Sequence, residues 1–168
     1  MADGYRGVLG AFPYALRASD SWLFRSYAAA SGLLALGLTA LFGLGLVVLI
    51  ARTSGAVGGT LTLSRAFYVV VGLGVVVPLV APTLLVARRH RRGGSTPRYD
   101  AALGAAGYAF VVSLYAGLVI TVPPAQQSAP TGVLAPLVAA LYGLPPVAGA
   151  VPPLVGVGVL VVVHRLAG

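Results

Sequence analysis

Residues 88–92 read Arg88-Arg89-His90-Arg91-Arg92, and this run decides how the rest of the chain is placed. Four of the chain's eleven basic residues lie within it, all of them arginine. An uncharged apolar segment precedes it (66–87), and a second, 101–122, follows a short linker; each has 22 residues. About 20 apolar residues in a helix cross a hydrocarbon core of about 30 Å, so the run separates two candidate membrane spans. Arginine at a span end marks sidedness, because loops rich in Lys and Arg stay on the cytoplasmic face.

Composition supports a lipid environment. Of the 168 residues, 58% are hydrophobic and 8% charged, and the mean hydropathy is +0.96. A soluble domain carries about 25% charged residues, too many for this chain to match. The net charge of +8 arises because Asp3, Asp20 and Asp100 are the only acids. Because the arginines stand at span ends, the excess is read as topology and not as a nucleic-acid surface. Cysteine is absent, which excludes disulfides, thiolate nucleophiles and cysteine metal sites.

Outward from the cluster, the fold expected is an all-α, polytopic transmembrane bundle of four spans: 28–51, 66–87, 101–122 and 146–163. The whole chain, 1–168, is read as one integral membrane domain. The run near Tyr27 is too long for a signal peptide and is read as a retained span. In the N-terminal segment 1–26, Tyr5, Leu9, Phe12 and Leu16 share one helical face. They predict a short helix lying in the interface, with Pro13 kinking it. Ser19 is expected to cap the next helix, with Asp20 complementing its dipole. Trp22, Phe24, Arg25 and Tyr27 are expected as anchors at headgroup level.

Within the spans, Gly32, Gly37, Gly43 and Gly45 are candidate close-approach points, and Ala105 and Ala109 form a small-xxx-small pair. Pro78 and Pro82 predict a kink in the second span, with Thr83 or a neighbouring helix covering the freed carbonyls. Segment 133–164 is 32 residues long, too much for one span and too little for two. It predicts a short helix at 133–142, broken before Pro145, and a last span opening at Pro146. With four spans, nine arginines fall on one side and two on the other. Both termini and the 88–92 loop are therefore expected in the cytoplasm, in a cell membrane.

The strings YRGVLGAFPYALRASDSWLFRSY (5–27), LSRAFYVVVG (63–72), LLVARRHRRG (84–93) and the ending LPPVAG…PPL…VHRL together resemble a group of small uncharacterised membrane proteins of haloarchaea, catalogued as a domain of unknown function. The resemblance implies a haloarchaeal cytoplasmic membrane and no assigned activity. In molar salt the Debye length falls to about 3 Å, so only direct guanidinium–phosphate contacts would hold a lipid.

Chemistry is sparse. No charge lies inside a proposed span, whereas pumps and coupled transporters place ionisable groups there. His90 and His164 both sit at the expected cytoplasmic edge, and with Asp100 they fall short of a metal-ligand set. No catalytic motif, phosphate loop or cofactor site stands out, so neither enzyme activity nor a cofactor is expected. Arg88, Arg89, Arg91 and Arg92 are candidate contacts for anionic lipid headgroups. The leading expectation is an accessory, assembly or membrane-organising subunit, partnered by the bilayer and by itself or a larger membrane protein, without nucleic acid. The alternative is a small transporter or pore for a neutral or apolar solute, built on proline-broken spans.

Overall fold

The computed structural model describes residues 7–54 and 59–167, and the side chains of all these but 59–61. Six α-helices run in order: α1 Gly7–Ala18, α2 Trp22–Thr53, α3 Gly59–Arg91, α4 Pro97–Ile120, α5 Ala135–Tyr142 and α6 Val151–Ala167. Short 3-10 turns at Pro124–Gln126 and Pro146–Ala150 flank α5. Four segments are long and apolar enough to cross a membrane: Trp22–Thr53, Thr62–Arg91, Pro97–Ile120 and Pro146–Ala167. The four-span, all-helical expectation therefore holds. At its C-terminal end α3 outruns the expected span because arginine is a good helix former and cations in the last turn complement the helix dipole.

The reversal between α3 and α4 positions the Arg-rich end. Gly93 adopts φ 74°, a left-handed conformation suited to glycine. Its N–H donates to His90 O at 3.0 Å, and the Gly94 N–H donates to Arg89 O at 3.3 Å, the paired bonds of a Schellman cap. Thr96 then caps α4 by accepting from Tyr99 N at 3.2 Å, and Pro97 occupies the first turn.

Two stacked cores hold the bundle. At the Arg-rich end, Ala11 and Ala15 of α1 pack with Phe24 and Ala28 of α2, Val86 and Ala87 of α3, and Tyr99 and Leu103 of α4. Deeper, Ala35, Leu79, Ala106, Phe110 and Leu160 join α2, α3, α4 and α6. Beyond Ala35, α2 contributes no further buried residue. There Phe42 lies over Gly72 and Tyr68 over Gly45, joining α2 to α3. On α4's far half, Gly117 meets the backbone of Gly149 in the 3-10 turn before α6.

Several local expectations are corrected. Leu9 on the expected lipid face of α1 is exposed, but Phe12 and Leu16 of that face are half-buried against Gly32 and the core, and Ala11 and Ala15 are fully buried; Tyr5 lies outside the described residues. The helix docks through small residues because those let backbones approach. The cap of α2 is Ser21, accepting from Phe24 N at 3.3 Å, and not Ser19. Ala105 and Ala109 are exposed, and the close-packed face of α4 is Gly104 and Gly107. A Cβ at Gly104 would stand 2.9 Å from Phe24 Cα. Gly37 and Gly43 face open space, whereas Gly32 receives Phe12.

The second span runs unbroken through its prolines, whereas the last changes from a 3-10 turn at Pro146–Ala150 to α-helix at Val151, just before Pro152. Pro78 and Pro82 lie inside one continuous α3, and Pro152 and Pro153 sit in the first turn of α6, where no N–H is needed. Tyr27 of α2 donates to Leu79 O at 2.5 Å, and Ser31 and Thr83 hydroxyls meet at 3.4 Å. These bonds tie α2 to α3 between Leu79 and Thr83, next to Pro78, whose carbonyl is the one that Pro82 leaves without its i+4 donor. The expected helix at 133–142 is present as α5, beginning at Ala135.

Candidate functional site: a buried aspartate at the Arg-rich end

Three elements converge on Asp100 in the first turn of α4, which is fully buried. Ser19, at the joint between α1 and α2, donates Oγ–H to Oδ2 at 2.6 Å. His90 in the last turn of α3 lies with Nε2 2.7 Å from the same oxygen. Ser95 in the α3–α4 reversal donates to Oδ1 at 2.6 Å. A carboxylate acting as acceptor for all three places the histidine hydrogen on Nε2. Ser19 also accepts from Ser21 N at 3.2 Å, which ties the carboxylate to the start of α2.

The adjoining residue extends the cluster. The Tyr99 ring lies under Arg89, whose Cζ is 4.1 Å from the ring centroid. Arg89 Nε donates to Gly94 O at 2.7 Å. The Tyr99 hydroxyl and His164 Nδ1 are 2.8 Å apart, which brings the end of α6 to the start of α4. One end of the bundle is thus joined through side chains from the α1–α2 joint, α3, α4 and α6.

What the arrangement can do chemically follows from its order. It contains serine, histidine and aspartate, but the carboxylate stands in the middle. In a hydrolytic triad the histidine bridges, taking the serine proton while the aspartate orients it. Here Ser19 and His90 both terminate on Asp100, so neither serine is activated by the imidazole. His90 and His164, the two candidate metal ligands in the sequence, engage Asp100 and Tyr99 respectively. Among the described residues no group of three His, Asp or Glu side chains is placed to hold a metal ion. The geometry is that of a latch between helices.

The structure divides the sequence-predicted residues. Arg88, Arg91 and Arg92 are exposed, whereas Arg89 is turned inward onto Tyr99. Of the four expected headgroup anchors, Trp22 and Arg25 are exposed. Phe24 and Tyr27 are corrected to core residues: both are fully buried, because Gly104 and Gly107 of α4 leave room for them. Sequence reasoning missed Asp100 as a hub. The available signal was the Ser95-Thr96-Pro97 helix start, which places Asp100 on the first turn facing the end of α3.

No curated protein and no solved structure matches the chain. A model of a family described as a domain of unknown function, DUF8056, matches residues 1–168, the full described architecture included, and the chain belongs to that family.

Proposed function

We propose that the chain is a non-enzymatic membrane protein, an accessory or assembly subunit that organises a homo-oligomer or a larger complex in the cell membrane. Both termini and the 88–92 loop lie on the cytoplasmic side in this reading, where nine of the eleven arginines fall. The observation that carries it is the uneven burial of the spans. In its most apolar window α4 is 44% buried within the bundle, and α2 only 6%. Leu33, Gly37, Leu41, Leu44 and Val48 form an exposed stripe along α2, and Gly37 has nothing within 4 Å of an added Cβ. Helices associate in lipid by close packing at small residues, and a stripe with an open glycine suits a further helix.

The outward arginines support a lipid contact on the same reading. Arg88, Arg91 and Arg92 project at the membrane edge, where each adds about 1 kcal/mol near an anionic surface.

Because the chain lacks cysteine, a photocrosslinker attached through Gly37→Cys tests the partner directly in native membranes. Capture of a second copy or of one reproducible membrane protein, with none from the exposed α6 site Val162→Cys, is the expected result. A monodisperse monomer in mild detergent, with no adduct at either site, contradicts the proposal.

A further inference from the structure

A groove of about 230 Å³ runs between the far halves of α2 and α3, away from the Asp100 cluster. Its lining is almost wholly apolar, with Phe42, Gly43 and Leu46 on α2 and Tyr68, Gly72 and Val76 on α3. Two glycines account for its depth. Gly72 admits the Phe42 ring, and Gly43 faces open space, so no side chain fills the groove from that position.

One helical turn beyond the groove's lining on α3 stands a cation, Arg65. Along α3 the lining residues recur every three or four positions, and the same periodicity backwards from Tyr68 and Val69 reaches Arg65. On α2 it reaches Thr53, seven residues after Leu46. These two residues are bonded: Arg65 Nε and Nη2 donate to Thr53 Oγ1 at 3.0 and 2.6 Å. Thr53 in turn donates to Leu49 O at 2.6 Å, which fixes the hydroxyl that holds the guanidinium. A guanidinium carries five N–H donors, so the two bonds to Thr53 leave the fork able to face a phosphate. The exposed Arg52 adjoins Thr53.

Length matches one leaflet. From Arg65 to Val76 is eleven residues, about 16 Å of helix. Half of a 30 Å hydrocarbon core is about 15 Å. A chain lying in the groove with its polar end at Arg65 reaches the bilayer midplane at Val76.

We propose that this groove is a binding site for one anionic membrane phospholipid, its phosphate on Arg65 and one acyl chain between α2 and α3. The site lies at the opposite end of the bundle from the 88–92 cluster and does not depend on any partner protein. Apolar contact supplies the chain's place, and the arginine supplies selection for the phosphate.

Native mass spectrometry of the purified full chain tests it, with dioleoylphosphatidylglycerol as the probe and dioleoylglycerol as the phosphate-free control. The wild-type chain is expected to retain one phosphatidylglycerol under activation that strips the others, and no dioleoylglycerol. Gly43→Leu projects a side chain into the groove from a position where an added Cβ has nothing within 4 Å, and loses that retained lipid. Arg65→Gln weakens retention about tenfold, in keeping with loss of a charge-assisted contact. Arg88→Gln/Arg91→Gln/Arg92→Gln leaves it unchanged. Both groove variants keep the wild-type helical circular dichroism and elution volume. Equal retention in wild type, Gly43→Leu and Arg65→Gln overturns the site. Loss in Gly43→Leu with equal retention of the two probes overturns the phosphate assignment. A dimer that Gly43→Leu dissociates, with lipid adducts unchanged, assigns the groove to a second copy and overturns the proposal.

Discussion

Removing the Asp100 carboxylate is the perturbation with the largest calculable effect at the Arg-rich end. In Asp100→Ala three partners lose their acceptor: Ser19 at 2.6 Å, Ser95 at 2.6 Å and His90 at 2.7 Å. Hydrogen bonds to a charged group contribute about 1.5–3 kcal/mol each, and effects within one network are not additive. Ser95 and His90 are half-buried and can turn to solvent, while Ser19 is buried and cannot. Leaving the buried Ser19 hydroxyl without its acceptor costs about 1–3 kcal/mol, and that is the loss expected here. It is a large share of a total stability of about 5–15 kcal/mol. Asp100→Asn keeps one acceptor oxygen and should lose about half as much. The assay is reversible unfolding in mixed micelles of rising dodecyl sulfate content, followed by far-ultraviolet circular dichroism. A double-mutant cycle with His90→Ala should show coupling of about 1–3 kcal/mol between the two positions. If Asp100→Ala unfolds within about 0.5 kcal/mol of wild type, the latch between helices does not exist and the cluster must be explained otherwise.

Two further outcomes follow from the α2 interfaces with α3 and α4. Gly107→Leu drives a side chain into the Tyr27 ring and should destabilise by about 1–3 kcal/mol or more, while Ala109→Leu on the exposed face stays within about 0.5 kcal/mol; the same unfolding titration measures both. Tyr27→Phe removes the donor to Leu79 O and should cost about 0.5–1.5 kcal/mol in the same titration. An unchanged unfolding midpoint for Tyr27→Phe would show that this bond does not tie α2 to α3.

Much of the architecture was legible because lipid imposes simple demands. Charge-free runs bounded by arginine locate the spans, and the glycine-positioned reversal after Arg92 separates α3 from α4. Which face each helix buries was less legible. Leu9, Phe12 and Leu16 make the obvious lipid-facing stripe of α1, yet Phe12 and Leu16 also pack inward beside the fully buried Ala11 and Ala15, where small residues allow close approach. Ala105 with Ala109, four apart, and Gly104 with Gly107, three apart, each pair small residues on one helix face, and only the placement of Phe24 and Tyr27 distinguishes them. Aromatic residues near a span start suit either headgroups or a helix interface, and Phe24 and Tyr27 take the second role. The Asp100 cluster was the least visible part. Its Ser19 bond links positions 81 residues apart and exists only once α1, α3 and α4 are assembled.

Single-cysteine accessibility tests most directly whether the chain crosses the membrane four times with its Arg-rich end in the cytoplasm. Ser95 is unsuitable because its hydroxyl serves Asp100, but Gly94 is exposed beside it and has open space around it. Ser128, in the uncharged segment after α4, is exposed at the other end. With a membrane-impermeant thiol reagent on intact cells, Ser128→Cys should be labelled and Gly94→Cys should react only after the membrane is opened. Labelling of Gly94→Cys but not Ser128→Cys in intact cells would invert the topology, and labelling of both would contradict an odd number of spans between them.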